Sequence, residues 1–239
     1  KERFEEWSLS RHAQAASNPW VAALEREDFR RGQMEGKVNF EGGDNVCSGC
    51  HNPSAAARSE DPLHRDVRMG TALGTDREGN HCDLCHKIYD VPDPNAHGVF
   101  GSAVFRRPAP DQGVPWPPRL AFGKIPDVSF DGIGASYNPL FGSSLLCSAC
   151  HQGTNRQGVP MQNTYEEWKA WAAPREGKPE YRTCQECHLP YTLTPLPDGP
   201  FPKLPNGILM EGTERLPFAP NHNHKFSGVD YPGKVADLA

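Results

Sequence analysis

Apolar residues are scarce in this chain. Only 36% of its 239 residues are hydrophobic and 9% aromatic, against 24 prolines and 23 glycines. So little apolar surface makes a poor core for this length. No apolar run approaches the ~20 residues that cross a bilayer as a helix, which sets a transmembrane reading aside. Positive charge is the minority sign, with 25 Lys and Arg against 30 Asp and Glu and a net charge of −5. That balance argues against nucleic acid as a partner and suits a basic one. Cysteine has no spare members, since none of the eight lies outside four short motifs.

Those motifs are what the chain does have. Cys-x-x-Cys-His occurs as Cys47-Ser-Gly-Cys50-His51, Cys82-Asp-Leu-Cys85-His86, Cys147-Ser-Ala-Cys150-His151 and Cys184-Gln-Glu-Cys187-His188. A Cys-x-x-Cys pair alone leaves zinc or disulfides open. A structural zinc site, however, usually sets its histidines several residues apart from the cysteines. Histidine directly after the second cysteine four times has chance odds on the order of one in a million. The pattern is the attachment signature of c-type haem, in which two thiols form thioethers to the vinyl groups and the histidine ligates iron from one face. Four haem c groups are therefore expected, with His51, His86, His151 and His188 as proximal iron ligands.

Four macrocycles, one per ~60 residues, would supply the missing apolar area at ~25 cal/mol per Å² buried. The expected fold is mainly α with extensive irregular loops, templated by haem, with little or no β-sheet. Folding without haem is not expected. Propionates would bring the net charge to about −9 oxidised and −13 reduced. Haem attachment of this type follows export, so a periplasmic or extracellular setting is expected. With Lys1 first and no signal peptide before it, a mature or trimmed chain is the expectation.

The motifs begin at 47, 82, 147 and 184, spacings of 35, 65 and 37 residues. Cys-Ser-Gly-Cys-His and Cys-Ser-Ala-Cys-His open two close pairs. Arg77-Glu78-Gly79 and Arg175-Glu176-Gly177 precede the motifs that close them. The chain thus reads as one tetrahaem domain, 1–239, of two dihaem modules at about 40–90 and 140–190. A Pro/Gly-rich insert covers 91–140 and a proline-rich tail 190–239; neither can make a long helix. Asn18-Pro19 predicts a capped helix over Trp20–Arg31, and Thr164-x-x-Glu167 a capping box for a helix carrying Trp168 and Trp171. Both tryptophans are expected to pack in the core or on haem.

The sixth ligand on each iron separates a carrier from an enzyme. Six histidines lie outside the motifs: His12, His64, His81, His97, His222 and His224. His12 lies on the expected first helix, and Gly98 after His97 would permit close backbone approach to a ring. His224 precedes Lys225-Phe226-Ser227-Gly228. With His64, these are the four candidate distal ligands. His81 abuts Cys82 and reads as a surface or hydrogen-bonding residue, while His222 competes with His224. Met34, Met69, Met161 and Met210 are the alternative donors and would raise a potential relative to bis-histidine.

The stretch Leu145–His151, then Thr164-Tyr165-Glu166-Glu167-Trp168, then Cys184–His188 resembles the closing dihaem unit of a known group. That group is the multihaem cytochrome c superfamily that includes the tetrahaem acceptor of hydroxylamine oxidoreductase, and extracellular cytochrome filaments have a comparable layout. The resemblance spans about residues 10–230. It implies haems in alternating stacked and perpendicular pairs, with axial histidines drawn from distant segments. It also implies an N-terminal ligand (His12) and one in the tail (His224).

The function expected from these features is electron transfer between redox partner proteins through four c-type haems, without catalysis. Two alternatives stand beside it. One is a conducting filament or homo-oligomer in which a histidine serves a neighbour's haem. The other is a small reductase or oxidase of nitrogen or sulfur compounds at a five-coordinate haem.

Overall fold

Each attachment motif folds as a short helix, and the spacing explains why. Cysteines at i and i+3 with histidine at i+4 share one face of a helical turn, so a single turn aims all three side chains together. The computed structural model describes residues 2–23, 47–58, 74–106, 119–124, 128–130, 133–154, 160–189, 191–192, 221–222 and 224–226. Within these, α1 (Glu2–Ser8) and a 3₁₀ turn (Ala15–Ser17) come first, followed by α2 (Ser48–His51) on the first motif and α3 (Pro53–Arg58). A 3₁₀ turn (Gly74–Glu78) leads into α4 (Cys82–Cys85) on the second motif. The third motif lies on α5 (Leu145–His151), and α6 (Thr164–Ala172) precedes α7 (Cys184–His188) on the fourth.

Strands are short. β1 (Ile88–Asp90) pairs antiparallel with β2 (Val104–Phe105) directly after the second motif. β3 (Arg119–Gly123), β4 (Val128–Phe130) and β5 (Ile133–Tyr137) form a sheet with β5 central, parallel to β3 and antiparallel to β4. This sheet falls within the insert, where the prolines suggested only irregular chain. Leu120, Phe122, Val128, Phe130 and Ile133 are the β-prone residues that override them locally. β6 (Gly153–Thr154) pairs with β7 (Pro160–Gln162), and β8 (Tyr191–Thr192) with β9 (Asn221–His222), which brings the tail back beside the fourth motif.

Among the described residues one apolar cluster stands out: Ile88, Val91, Ala103, Leu140 and Ala149, with Phe105, Leu145, Leu146 and Cys150 packed against it. It draws on the chain after the second motif, on the insert and on α5, so the halves of the sequence share one core. Among the described residues no helix is long and apolar enough to cross a membrane.

Local signals held unevenly. Asn18 Oδ1 accepts from Trp20 N at 3.0 Å, the predicted cap, and residues 19–23 are helical; 24–31 lie outside the described residues. Thr164, by contrast, is the first residue of α6 rather than its cap. The acceptor for that helix start is Gln152 Oε1, which takes Glu166 N at 3.3 Å. A buried amide from the neighbouring motif helix replaces the local hydroxyl. Trp171 is 38% exposed with the Arg175 guanidinium 4.6 Å from its ring centroid, and Trp168 is half-buried, donating to Arg182 O at 2.9 Å.

Candidate functional site

The thiols of different motifs lie side by side. The Cys150 thiol hydrogen-bonds with Cys50, the Cys147 thiol with Cys184, and Cys85 is close enough to Cys150 to feel its charge. The third motif is therefore the meeting place of the other three. None of the eight cysteines is in a disulfide. Burial, with the charges of Cys150 and Cys82 nearby, pushes the Cys85 thiol up to about 12. The partner thiols of Cys184 and Cys50, together with burial, hold Cys147 and Cys150 well above the usual range. Of the remaining three, Cys82 and Cys187 are exposed and Cys47 is half-buried. Cys184 moves the other way: the hydrogen bond from the Cys147 thiol, helped by Ser144 and His188 and opposed by burial, brings it down to about 6, and conversion to thioethers would remove ionisation from every member.

The motif histidines are approached from distant segments. His86 and His224 lie 6.4 Å apart between ring centroids with planes 26° apart. His86 Nδ1 donates to Phe122 O at 2.6 Å, because a carbonyl can only accept. That bond fixes the tautomer and leaves the ring's lone pair on Nε2, the arrangement common for a metal-ligating histidine. The Phe122 carbonyl comes from β3 of the unexpected sheet.

His12 lies 5.9 Å from His151 in a T-shaped pair and 4.2 Å from Phe226. His12 is held down to about 4, first by burial and then by the charges of His151, His51 and His188. Burial and His151 lower His51 as well. His12 Nδ1 and His51 Nδ1 are buried with no hydrogen-bond partner, and such atoms call for an explanation. A cluster of imidazoles kept neutral is the donor set that a transition-metal axial site requires. The residues present thus fit haem iron, with Cys pairs to hold the macrocycle.

His97 is placed differently. It takes a left-handed conformation, φ 59°, and its Nε2 donates to Thr154 O at 3.0 Å. Gly98 gives close approach to the first motif: a Cβ there would collide with the Gly49 carbonyl and reach Cys50 Sγ at 3.0 Å. His64, Met34, Met69 and Met210 lie outside the described residues; Met161 is on β7 and 44% exposed. Of His222, only its place in β9 is described.

Residues outside the ligand candidates position the site; His81, read above as a surface or hydrogen-bonding residue, does bond, whereas Ser144 and Gln185 carried no obvious signal. His81 Nδ1 accepts from Leu84 N at 3.3 Å, capping α4, while its Nε2 bonds Ser54 Oγ at 2.6 Å. The second motif helix is thus tied to α3. Ser144 Oγ accepts from Cys184 N at 2.9 Å and Gln185 Nε2 donates to Ser143 O at 2.7 Å, docking α7 on the start of α5. Thr183 and Glu186 form a true capping box on α7. That one was readable, because Thr-x-x-Glu stands at 183–186.

No family model and no curated protein matches the chain. Among solved structures it is similar to a penta-haem cytochrome c552 from Thermochromatium tepidum, with a TM-score of 0.48 and 20% identity. That alignment covers 95% of this chain and 54% of the other, so this chain spans about half the length of that protein.

Proposed function

We propose that the chain is an exported electron-transfer protein carrying four c-type haems. The observation that carries the reading is the fourfold Cys-x-x-Cys-His pattern on short helices whose thiols converge. Cys47 and Cys50, Cys82 and Cys85, Cys147 and Cys150, and Cys184 and Cys187 would hold the macrocycles. His51, His86, His151 and His188 would be the proximal ligands. Haem supplies reversible one-electron chemistry at iron. The chain's own contribution is positional and electrostatic. The Phe122 carbonyl orients His86, burial keeps His12 neutral, and the acidic surface favours a basic redox partner in a periplasmic or extracellular setting.

His224 is the best-placed distal ligand opposite His86, and His12 serves the group around His151 and His51. His64 and His97 are the remaining candidates. For His97 to serve through Nε2, its bond to Thr154 O must be exchanged. That engagement favours a second reading, in which one iron keeps an open face and binds a small molecule.

The test is haem content by pyridine haemochrome together with EPR of the oxidised protein, with and without cyanide. Four haems per chain with low-spin signals unmoved by cyanide are expected. A chain holding zinc and no haem overturns the reading, and a cyanide-sensitive high-spin signal transfers it to the open-iron form.

A further inference from the structure

The tail brings His224 to His86 from far along the chain, and something must set its angle. The contact that does so is not in a motif. Glu6, on α1, is 8% exposed, and its Oε2 accepts the His224 backbone N–H at 3.0 Å and the Arg3 guanidinium at 2.6 Å. The helix bearing it is fixed in turn. Trp7, 5% exposed, donates Nε1 to Asn80 O at 2.7 Å, two residues before Cys82. Asn80 N then donates to His12 O at 2.9 Å. On the far side, β9 pairs with β8 and stops at His222, so the strand ladder ends short of His224. Phe226, at φ 51°, bends the chain and places its ring 4.2 Å from His12 and 6.2 Å from His224.

Resting on the haem reading above, we propose that Glu6 is the positioning residue for the distal ligand His224. Its carboxylate fixes the tail backbone so that the His224 imidazole lies beside His86. One side-chain oxygen accepts from both the His224 amide and the Arg3 guanidinium, so it ties the tail backbone to α1 at a fixed point.

The experiment compares Glu6→Ala, Glu6→Gln and Arg3→Ala in the haem-loaded protein by EPR of the oxidised form and carbon monoxide binding to the reduced form. Glu6→Ala is expected to convert about one of four haems from low to high spin and open it to carbon monoxide. Glu6→Gln keeps an oxygen acceptor at the same reach and stays low-spin. Arg3→Ala removes the ion pair but not the acceptor, and also stays low-spin. A Glu6→Ala protein with unchanged spin state and no carbon monoxide binding overturns the inference. So does an Arg3→Ala protein that reproduces the loss. If Glu6→Ala does not accumulate, Glu6→Asp withdraws the carboxylate by one methylene. A partial high-spin fraction then supports the inference and none overturns it. Haem content separates this from failure of the underlying reading, since none of these variants touches an attachment cysteine.

Discussion

The imidazoles of His86 and His224 face one another, 6.4 Å between centroids and 26° between planes, with His86 Nδ1 bonded to the Phe122 carbonyl. On the haem reading proposed above, these two rings would ligate the second-motif iron together. His224→Ala is therefore expected to leave the second-motif iron with one imidazole. Its spectrum should turn high-spin for about a quarter of the haem, with a raised potential. His222→Ala should leave both unchanged; spectroelectrochemistry of the two variants decides between them.

His12 gives the acid response its sign. Its folded value, about 4, is below the 6.5 of a free histidine. Between those values the unfolded chain binds more protons, so His12 contributes stability above pH 6.5 that is lost as pH falls toward 4. Iron held by the neutral ring would favour that form further, so the sign stands and the loss extends to lower pH. Urea midpoints measured from pH 7 to 4.5 should fall with acid, and His12→Asn should flatten the slope. A slope unchanged in the variant would remove His12 as its source.

Gly98 and Gly74 form a matched pair for testing the seat of the first motif. Both have positive φ, 60° and 59°, but a Cβ at Gly74 meets nothing within 4 Å whereas at Gly98 it collides with the Gly49 carbonyl. Gly74→Ala should cost about 1 kcal/mol from backbone strain alone. Gly98→Ala should cost roughly 3 kcal/mol or more and lower haem occupancy at Cys47 and Cys50. Thermal unfolding and peptide mass mapping read both.

The capping box on α7 predicts a local effect. Thr183→Ala removes the acceptor for Glu186 N at 3.3 Å and should cost about 1 kcal/mol, seen as a lower thermal midpoint with spectra of the other motifs unchanged.

What could be read beforehand follows from range. The motif helices, the Asn18 cap and the mainly helical class rest on contacts within four or five residues, and the sequence carries those openly. The imidazole pairs His86–His224 and His12–His151 join distant segments, so composition could nominate the donors but not match them. Thr164 misled because the helix starts one residue early: Glu167 N, the donor a Thr164 cap would take, bonds to Asn163 O at 3.0 Å. The β3–β5 pairing was hidden by the surrounding prolines, and with it the Phe122 carbonyl that orients His86. Glu6 left no trace in sequence at all.

The hydrogen bond from His224 N to Glu6 joins residues 218 positions apart. Taken alone, closing a flexible loop of that size costs about 5 kcal/mol of chain entropy, more than one charge-assisted hydrogen bond returns. The molecule is in effect a ring whose clasp is too weak to shut by itself. The β8–β9 pairing and the Trp7–Asn80 bond share the work of closure, and on the haem reading ligation would add to them while the carboxylate sets the alignment. Loss of the second-motif haem should therefore release the N-terminal helix and the tail together, opening the ring at both sides of the clasp instead of fraying one end.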